Sequence, residues 1–275
     1  MPELPELEVL QRRISTSIRG KRIEVLRILK PYVLKELFEG DLADQIVKDV
    51  KRRGKYLIIE TDSHCLTVHL MLRGALKYYS RTFKPKRSTA ALLVFTDGTV
   101  LEFSEGGSQK RMMICITPID KSPARIANLG IEPFSDAFTV AALGLLLKKE
   151  RKQLKVLLCC QSKIAGIGNS YADEILWKAG LSPFKMSTNL TSDEIQKLHN
   201  AIIGVLKWAI QEVLRTRQMD KRDFLRIHGK NGQPCPVCGD NIESVSFSKS
   251  DTYYCPTCQT AGKKLKDRRM SKFFR

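Results

Sequence analysis

The spacing of hydrophobic positions divides the chain into a strand-rich first half and a helical second half. One helix opens the first half, because four hydrophobic residues recur there at helical spacing behind a proline: Leu7, Leu10, Ile14 and Ile18. This pattern predicts a helix over 4–18. Hydrophobic runs typical of strands follow at 22–29, 55–61, 65–72 and 91–103. We therefore predict a β-sandwich that carries one N-terminal helix.

The end of this first domain is marked by a change in composition. In the last strand run, Asp97-Gly98 separates two hydrophobic stretches and predicts a tight hairpin. Strand alternation is then lost over 117–133, which contains three prolines. We place the domain at 1–117 and a linker at 118–135.

The second half has helical periodicity. The segment 143–160 has the composition of one helix, and a glycine-broken turn separates it from the next. Thr191 and Glu194 have the spacing of a capping box. The helix that they open has one hydrophobic face, made of Ile195, Leu198, Ile202, Leu206, Ala209 and Val213. We predict a helical domain over 136–230.

Two C-x2-C pairs near the C-terminus are the strongest local signal in the sequence. Cys235 and Cys238 form the first pair and Cys255 and Cys258 the second, with sixteen residues between them. This spacing is typical of four thiolates around one tetrahedral Zn²⁺. Four thiolates leave no position for water, so we predict a structural metal in a β-hairpin ribbon at 231–260. The alternative of two disulfides fits poorly with a cytosolic chain.

The charge balance favours a polyanionic partner. Lysine and arginine number 47 against 29 acidic residues, which gives a formal charge of +18 and a pI near 9.6. Such an excess favours nucleic acid through counterion release. The alternatives are a basic surface that serves only solubility, or one that attracts anionic lipid. The segment 261–275 is predicted to be a basic tail.

Other features favour a soluble, cytoplasmic protein. No hydrophobic stretch approaches the roughly 20 residues that cross a bilayer, and the acidic N-terminus lacks the pattern of a secretory signal. Four further cysteines lie in hydrophobic runs and are expected to be buried free thiols: Cys65, Cys115, Cys159 and Cys160. The predicted fold class is α+β, with two domains and a zinc ribbon.

Two further motifs are ambiguous when each is taken alone. The basic stretch RRGKYL at 52–57 is by itself typical of a solvated strand end. The segment GIGNSYADE at 166–174 places glycines before a helix, with Asn169 as the predicted N-cap. This pattern suits either an anion site or a close-packed helical hairpin.

Taken in order, the motifs resemble one family over nearly the whole chain. They are PELPE at 2–6, RRGKYL, GIGNSYADE and the cysteine pairs. This order resembles the formamidopyrimidine-DNA glycosylase / endonuclease VIII family, in which GIGNSYADE would lie in a helix–two-turn–helix. The resemblance implies a bifunctional DNA glycosylase and AP lyase of base excision repair, which removes oxidised or ring-opened bases and cuts abasic sites by β,δ-elimination. It also implies a monomer that acts on damaged double- or single-stranded DNA at a bacterial-type nucleoid.

The resemblance implies roles for single residues near the N-terminus. After removal of Met1, Pro2 would be the nucleophile that forms an iminium with C1′ of deoxyribose. A secondary amine suits this step because it is partly unprotonated near neutral pH. Glu3 matches the general acid/base, and Glu6 matches an accessory carboxylate. Lys55 matches a lysine that binds the phosphate beside the lesion.

Further positions match DNA contacts of the family, with one departure. Asn169 and Lys155 match residues that bind backbone phosphates and position the DNA. In the zinc ribbon, the family's phosphate-binding arginine is replaced by Ser250, and Lys249 one residue earlier is the candidate contact. On a strand period of two, that lysine points to the opposite face unless the hairpin is bulged.

Two more departures concern lesion recognition. In the family, a methionine fills the gap left by an everted base, and Leu72 matches that position here, with Met71 beside it. The loop 104–113 lacks the aromatic residue that accompanies the methionine in the family. The loop that covers 8-oxoguanine in purine-specific members is short here, at 226–231. We therefore expect activity on abasic sites, oxidised pyrimidines, ring-opened purines and hydantoins, and weak action on 8-oxoguanine paired with cytosine.

Two other classes of protein stay open. A non-catalytic protein that binds damaged or branched DNA on the same scaffold would explain the lost arginine and the reduced wedge. A zinc-ribbon transcription or ribosome-associated factor would explain the charge and the cysteines, but it leaves the N-terminal motif unexplained. The intact pair of Pro2 and Glu3 favours the enzyme.

Overall fold

The computed structural model describes residues 1–34, 40–80, 83–121, 124–216, 222–247 and 250–265. The chain divides into two units, Met1–Asn128 and Leu129–Arg275. Most of the predicted basic tail lies outside the described residues.

The first unit is built on two β-sheets. Its helices are α1 (Leu4–Ile18) and α2 (Ala124–Ala127), with one turn of 3-10 helix at Pro31–Val33. Its strands are β1 (Ile23–Ile28), β2 (Asp49–Arg53), β3 (Tyr56–Glu60), β4 (His64–His69), β5 (Gly74–Tyr79), β6 (Thr89–Phe95), β7 (Val100–Glu105) and β8 (Met113–Pro118). The two antiparallel sheets have the strand orders β1-β6-β7-β5 and β2-β3-β4-β8. The predicted sandwich with an N-terminal helix is confirmed.

Helix α1 buries the face that its periodicity predicted. All four hydrophobic residues of that face are buried, and the helix packs on β2 and β3. Arg52 in β2 donates to the carboxylate of Glu8 at 2.9 Å. Burial alone raises the pKa of Glu8, but the Arg52 guanidinium lowers it below its usual value. The beginning of the helix is thereby tied to the sheet.

The predicted runs overlap β1, β3, β4, β6 and β7, and they miss β2, β5 and β8. Asp97-Gly98 does form the hairpin between β6 and β7, with Gly98 at φ +79°. The missed strands all lie at sheet edges. Strand β2 has a polar composition, DVKRR, whereas β5 (GALKYY) and β8 (MICITP) do not. Strand β4 ends at His69 and not at residue 72, since the chain turns at 70–74.

The second unit is helical and ends in a small ribbon. Its helices are α3 (Val140–Lys149), α4 (Leu154–Leu158), α5 (Asn169–Ala179), α6 (Ser192–Thr216) and α7 (Pro256–Thr260), with a 3-10 turn at Ser187–Asn189. The prediction of one helix over 143–160 is wrong. Six consecutive polar residues at 148–153 give the middle of that segment no hydrophobic face to bury, and the chain breaks into α3 and α4.

Helix α6 begins and packs as predicted. The Glu194 N–H donates to Thr191 Oγ1 at 3.3 Å, and the Thr191 N–H donates to the Glu194 carboxylate at 2.9 Å. This reciprocal pair is the predicted capping box. All six hydrophobic residues of the predicted face are buried, so burial of one face accounts for the length of this helix.

The ribbon contains strands β9 (Glu243–Phe247) and β10 (Ser250–Tyr254), which pair antiparallel with Ser250 opposite Phe247. The predicted hairpin between the two cysteine pairs is therefore confirmed. Lys249, the DNA contact predicted in this hairpin, lies outside the described residues.

Two smaller predictions can be compared with the described residues. No helix among them has the length and apolar composition to span a membrane. Cys65 and Cys115 are buried free thiols, as expected. Cys159 and Cys160 are only half-buried, because α4 ends before them.

Candidate active site and zinc centre

The beginning of α1 brings Pro2, Glu3 and Glu6 together. Glu3 is the N-cap residue, and its side chain forms a reciprocal capping box with that of Glu6. The Glu3 carboxylate accepts the Glu6 N–H, and Glu6 Oε2 accepts the Glu3 N–H at 2.8 Å. Pro5 lies in the first turn of the helix, where its missing N–H removes no hydrogen bond. Both carboxylates are buried.

This capping box also restrains the residue before the helix. The N–H that Glu6 binds belongs to the peptide bond between Pro2 and Glu3, so Glu6 holds Pro2 through that bond. The two carboxylates lie at the positive end of the α1 dipole, which favours negative charge. Pro2 itself is half-buried and Met1 is exposed. A fixed imino acid beside two fixed carboxylates can support nucleophilic and proton-transfer chemistry.

Lys55 provides a buried positive charge in the same unit. It lies in the turn between β2 and β3, directly after Gly54, whose φ of +56° favours glycine. Its side chain is 5% exposed. No carboxylate pairs with its ammonium group among the described residues. A buried charge without an opposite charge is costly, and a phosphate oxygen is a group that would supply one.

His69, at the end of β4, is a candidate that the sequence motifs did not single out. Its Nδ1 accepts the Met71 N–H at 3.0 Å, which places the hydrogen of the neutral ring on Nε2. Its ring meets that of Tyr56 edge-on, with centroids 4.6 Å apart. Burial, and then the charges of Lys55 and Arg125, lower the pKa of His69 to about 4. The imidazole is therefore neutral at physiological pH.

The turn at 70–74 presents Leu72 to solvent. The Gly74 N–H donates to the Leu70 carbonyl at 2.8 Å, and a Cβ atom on Gly74 would lie 2.3 Å from that oxygen. Met71 has a φ of +52°, which is uncommon for a residue with a side chain. Leu72 is 51% exposed. A tightly restrained turn thus holds an apolar side chain in water.

A second turn, which begins at Glu105, is tied to the first. The buried Glu105 carboxylate accepts two backbone N–H groups from the far side of its loop, those of Arg111 and Met112, each at 2.9 Å. The Gly106 N–H donates to the Arg73 carbonyl at 3.2 Å. The loop without an aromatic residue is therefore closed by a buried carboxylate, a partner that sequence spacing did not indicate.

In the second unit, the N-cap of α5 is Gly168, and the prediction of Asn169 at this position is wrong. Gly168 has extended backbone angles, with φ −129° and ψ −166°, whereas Asn169 is the first helical residue. The Asn169 side chain donates instead to the carbonyl of Asp251 in β10 at 3.0 Å. It therefore joins the helix to the ribbon.

Lys155 lies inside the second unit. It is 6% exposed, and its Nζ lies 2.6 Å from Asp173 Oδ1. It also donates to the Asp251 carbonyl at 2.9 Å and to Thr252 Oγ1 at 3.0 Å. Its ammonium group therefore makes one ion pair and two hydrogen bonds within the second unit. The structure thus places Lys155 in an internal ion pair, so that its charge, unlike that of Lys55, already has a carboxylate partner.

The buried Glu174 organises the short loop that follows residue 225. Its Oε1 accepts three successive backbone N–H groups, from Arg226, Ile227 and His228, at 3.1, 2.9 and 2.9 Å. Burial raises the pKa of this carboxyl group, and the three hydrogen bonds oppose that effect. The short loop is therefore held to α5 by one side chain.

The two cysteine pairs converge into one metal site. The four Sγ atoms lie within 4.8 Å of one another, with separations of 3.4 Å for Cys238–Cys255 and 3.8 Å for Cys235–Cys258. A tetrahedral Zn²⁺ with Zn–S bonds of about 2.3 Å sets sulfur separations of about 3.8 Å. Burial raises the pKa of Cys255 to about 11, and a bound cation would stabilise the thiolate form of this cysteine. The donor set fits one structural zinc ion.

The zinc centre is docked on α5. Trp177 Nε1 donates to Cys235 Sγ at 3.4 Å. Trp177 also belongs to a buried cluster with two of the cysteines and two isoleucines. The side chain of Gln259 in α7 donates to the Leu181 carbonyl at 2.9 Å, just after α5 ends. The ribbon and the helix therefore share one core.

Models of known families match most of the chain. The N-terminal domain of formamidopyrimidine-DNA glycosylase matches residues 1–108, and the H2TH domain of the same enzyme matches 129–220. A zinc finger found in FPG and IleRS matches 232–261. A formamidopyrimidine-DNA glycosylase from Pelotomaculum thermopropionicum is 35% identical over 277 residues, which cover 94% of this chain and 99% of the relative.

Solved structures share the fold. The Lactococcus lactis enzyme in complex with abasic-site DNA gives a TM-score of 0.85 at 27% identity, covering 94% of this chain and 99% of that one. The wild-type L. lactis enzyme in complex with DNA that contains an oxidised pyrimidine gives a TM-score of 0.85 at 28% sequence identity. This match covers 94% of this chain and 100% of that one. Fold and matches define a DNA glycosylase of base excision repair. The chain belongs to the formamidopyrimidine-DNA glycosylase family, and its four clustered cysteines are the site of one structural zinc ion.

Proposed function

We propose that this DNA glycosylase is bifunctional and also cuts abasic sites, with Pro2 as its nucleophile. The observation that carries the proposal is the capping box of α1, in which Glu6 binds the peptide N–H between Pro2 and Glu3. Removal of the exposed Met1 frees the secondary amine of Pro2. The family match over 1–108 and the relative solved with abasic-site DNA support the assignment.

In the proposed reaction, the Pro2 amine attacks C1′ of the damaged nucleotide. The bond from C1′ to the base breaks, the base leaves with a proton, and an iminium forms between C1′ and the amine. Loss of the 2′ proton expels the 3′ phosphate, and a second elimination expels the 5′ phosphate. Hydrolysis of the iminium then restores the free amine. Glu3 moves the protons in these steps, since its fixed carboxylate directly follows Pro2.

The proposed DNA contacts combine charge with one apolar wedge. We assign Lys55 to the phosphate beside the lesion, because its buried ammonium has no carboxylate partner in the described part of the chain. Asn169 stands at the N-terminal end of α5, where anions are favoured. Leu72 is assigned to the gap left by the everted nucleotide, because it is exposed on a restrained turn. Lys249 is retained as a proposed contact from its place in the sequence.

The proposed substrates are abasic sites, oxidised pyrimidines, ring-opened purines and hydantoins, in double- or single-stranded DNA. The relative solved with an oxidised pyrimidine in its DNA supports the second of these classes. We further propose that the enzyme acts as a monomer, because one chain carries the nucleophile, the acid/base and the phosphate contacts.

Reductive trapping tests the proposed function. Borohydride converts an iminium into a stable amine, so incubation with an abasic-site duplex should attach DNA to the Pro2 nitrogen of chains that lack Met1. Pro2→Gly should lose most of its lyase activity and keep most of its DNA affinity, because binding rests on dispersed phosphate contacts. Mass spectrometry locates the adduct, and an adduct at a lysine would refute the assignment. Tight binding without any adduct would identify the alternative, a non-catalytic DNA-binding protein.

A further inference from the structure

A buried polar network around Asp173 joins α4, α5 and the ribbon strand β10. Asp173 Oδ1 lies 2.6 Å from Lys155 Nζ, and Oδ2 lies 2.7 Å from His228 Nδ1. Asp173 and Lys155 are both buried. Lys155 and Asn169 donate to the same acceptor, the carbonyl oxygen of Asp251, at 2.9 and 3.0 Å.

The network connects α5 to β10 at two points on one face of the helix. Asn169 and Asp173 are four residues apart, so their side chains are neighbours on the helix surface. Asn169 reaches β10 directly, whereas Asp173 reaches it through Lys155. The strand cannot shift along the helix without breaking the hydrogen bonds that Lys155 and Asn169 donate to it, and the ion pair with Asp173 holds Lys155 in place for those bonds.

The ribbon is held to the same helix at the helix's other end. Trp177 donates to the zinc-site sulfur of Cys235 at 3.4 Å. Two sets of contacts on α5 therefore fix the orientation of the hairpin. One is made by Trp177, and the other, which we call the ionic anchor, is made by Asp173 and Lys155. The Asp251 carbonyl lies at the ionic anchor, so its position depends on both.

We propose that Lys155 is a positioning residue and that Asp173, not DNA, is its counterion. The Asp173–Lys155 pair locks β10 against α5, and the locked Asp251 carbonyl orients the side-chain amide of Asn169. Lys155 already has a counterion and two hydrogen-bond acceptors in the chain, because its Nζ lies 2.6 Å from Asp173 Oδ1 and donates to the Asp251 carbonyl and to Thr252 Oγ1. The proposal rests on the proposed function only in giving Asn169 a DNA contact; the lock itself is a property of the second unit.

The lock is tested first without DNA, on the full-length zinc-loaded protein. Lys155→Met leaves the buried Asp173 carboxylate without its lysine counterion, so we expect the Tm to fall by about 6 °C or more and zinc to transfer faster to a chelating dye. The double variant Lys155→Met/Asp173→Asn removes both charges and keeps an acceptor for His228. It should recover at least half of the lost Tm. Lys178→Met, at an exposed position of α5, is the matched control and should change neither quantity.

The salt dependence of DNA binding separates positioning from phosphate contact. A lysine that neutralises a phosphate contributes about 0.9 to the slope of log K against log salt concentration. We expect Lys155→Met to bind an abasic-site duplex more weakly but with the slope of the parent, because Asn169 loses its orientation and no phosphate contact is removed.

Two results would overturn the proposal. If the slope of log K against log salt concentration were smaller by about 0.9 in Lys155→Met than in the parent, Lys155 would be a phosphate contact. An unchanged Tm and an unchanged rate of zinc transfer in that variant would show that Asp173 and Lys155 do not lock β10 against α5. If the parent protein fails to bind DNA, the proposed function fails, and the measurements made without DNA still decide whether Asp173 and Lys155 form the lock.

Discussion

Single side chains in this enzyme contribute both to helix formation and, in the proposed mechanism, to chemistry. Glu3 and Glu6 cap α1, and the same bonds fix the peptide that follows Pro2. The orientation of the proposed nucleophile and acid/base is therefore set when the helix forms, before any DNA is bound. Such preorganisation reduces the reorganisation that must accompany reaction.

Two substitutions separate the hydrogen bond that Glu6 accepts from the Glu3 N–H and the negative charge that Glu6 carries. Glu6→Ala removes the acceptor of the Glu3 N–H, and a hydrogen bond to a charged group contributes about 1.5–3 kcal/mol. We expect the single-turnover rate on abasic sites to fall by about tenfold or more, with little change in DNA affinity. Glu6→Gln keeps an oxygen acceptor and should retain most of the rate. Equal losses in the two variants would show that the charge, and not the bond, is what matters.

His69 makes the free energy of unfolding depend on pH, so that the protein is less stable at acidic pH. Its pKa is about 4 in the folded chain, against an ordinary value of 6.5, so between these values the unfolded chain binds the proton more readily. The contribution of His69 is complete above pH 6.5 and is lost as the pH falls towards 4, by up to about 3 kcal/mol. Urea unfolding across this range should show a smaller loss for His69→Gln than for the parent. An identical loss in both would contradict the prediction.

The contacts of a residue could be predicted from the sequence only where its partners lie close to it along the chain. The spacing of Thr191 and Glu194 is local, so their capping box is visible in the sequence. The partners of Asp173 and Glu174 come from separate segments that only the fold brings together. No spacing rule connects such residues, and for this reason the internal position of Lys155 was not predicted.

Among secondary-structure elements, prediction succeeded where a hydrophobic period ran without interruption. Helices α1 and α6 and the hairpin between β6 and β7 are such cases. It failed over 143–160, where hydrophobic residues at both ends concealed a polar stretch in the middle. It failed also at 70–72, because the hydrophobic Leu72 is exposed on a turn and not buried in a strand. An exposed apolar residue of this kind reflects function more than folding.

The zinc ribbon is an element whose order depends on its metal. Cys255→Ser removes one of four ligands, so we expect zinc to be lost and DNA affinity to fall, because the hairpin that contains the Asp251 carbonyl is no longer fixed. Elemental analysis should find one zinc per chain in the parent. Cys160→Ser, at a half-buried cysteine outside the site, is the control and should keep its zinc. A pure and active parent without zinc would contradict the assignment.

For the molecule as a whole, affinity and selectivity have different origins. A formal charge of +18 favours binding to any DNA through phosphates. Phosphate contacts carry no information about the damaged base. Selectivity must therefore come from the few groups that meet the everted nucleotide and the gap behind it. In the proposed function those groups are Leu72, a loop over 104–113 without an aromatic residue and a short loop at 226–231.

This sparse recognition apparatus predicts an order of substrates. Eversion of a base from a duplex costs a few kcal/mol of unstacking, and a single leucine offsets that cost less well than a wedge with an aromatic partner. An abasic site has no base to unstack, and a lesion in a single strand has no pairing partner. We therefore expect single-turnover rates to be high on abasic sites, oxidised pyrimidines, ring-opened purines and hydantoins, and low on 8-oxoguanine opposite cytosine. Leu72→Ala should slow duplex lesions more than single-stranded ones, and 8-oxoguanine opposite cytosine as the fastest duplex substrate would refute the prediction.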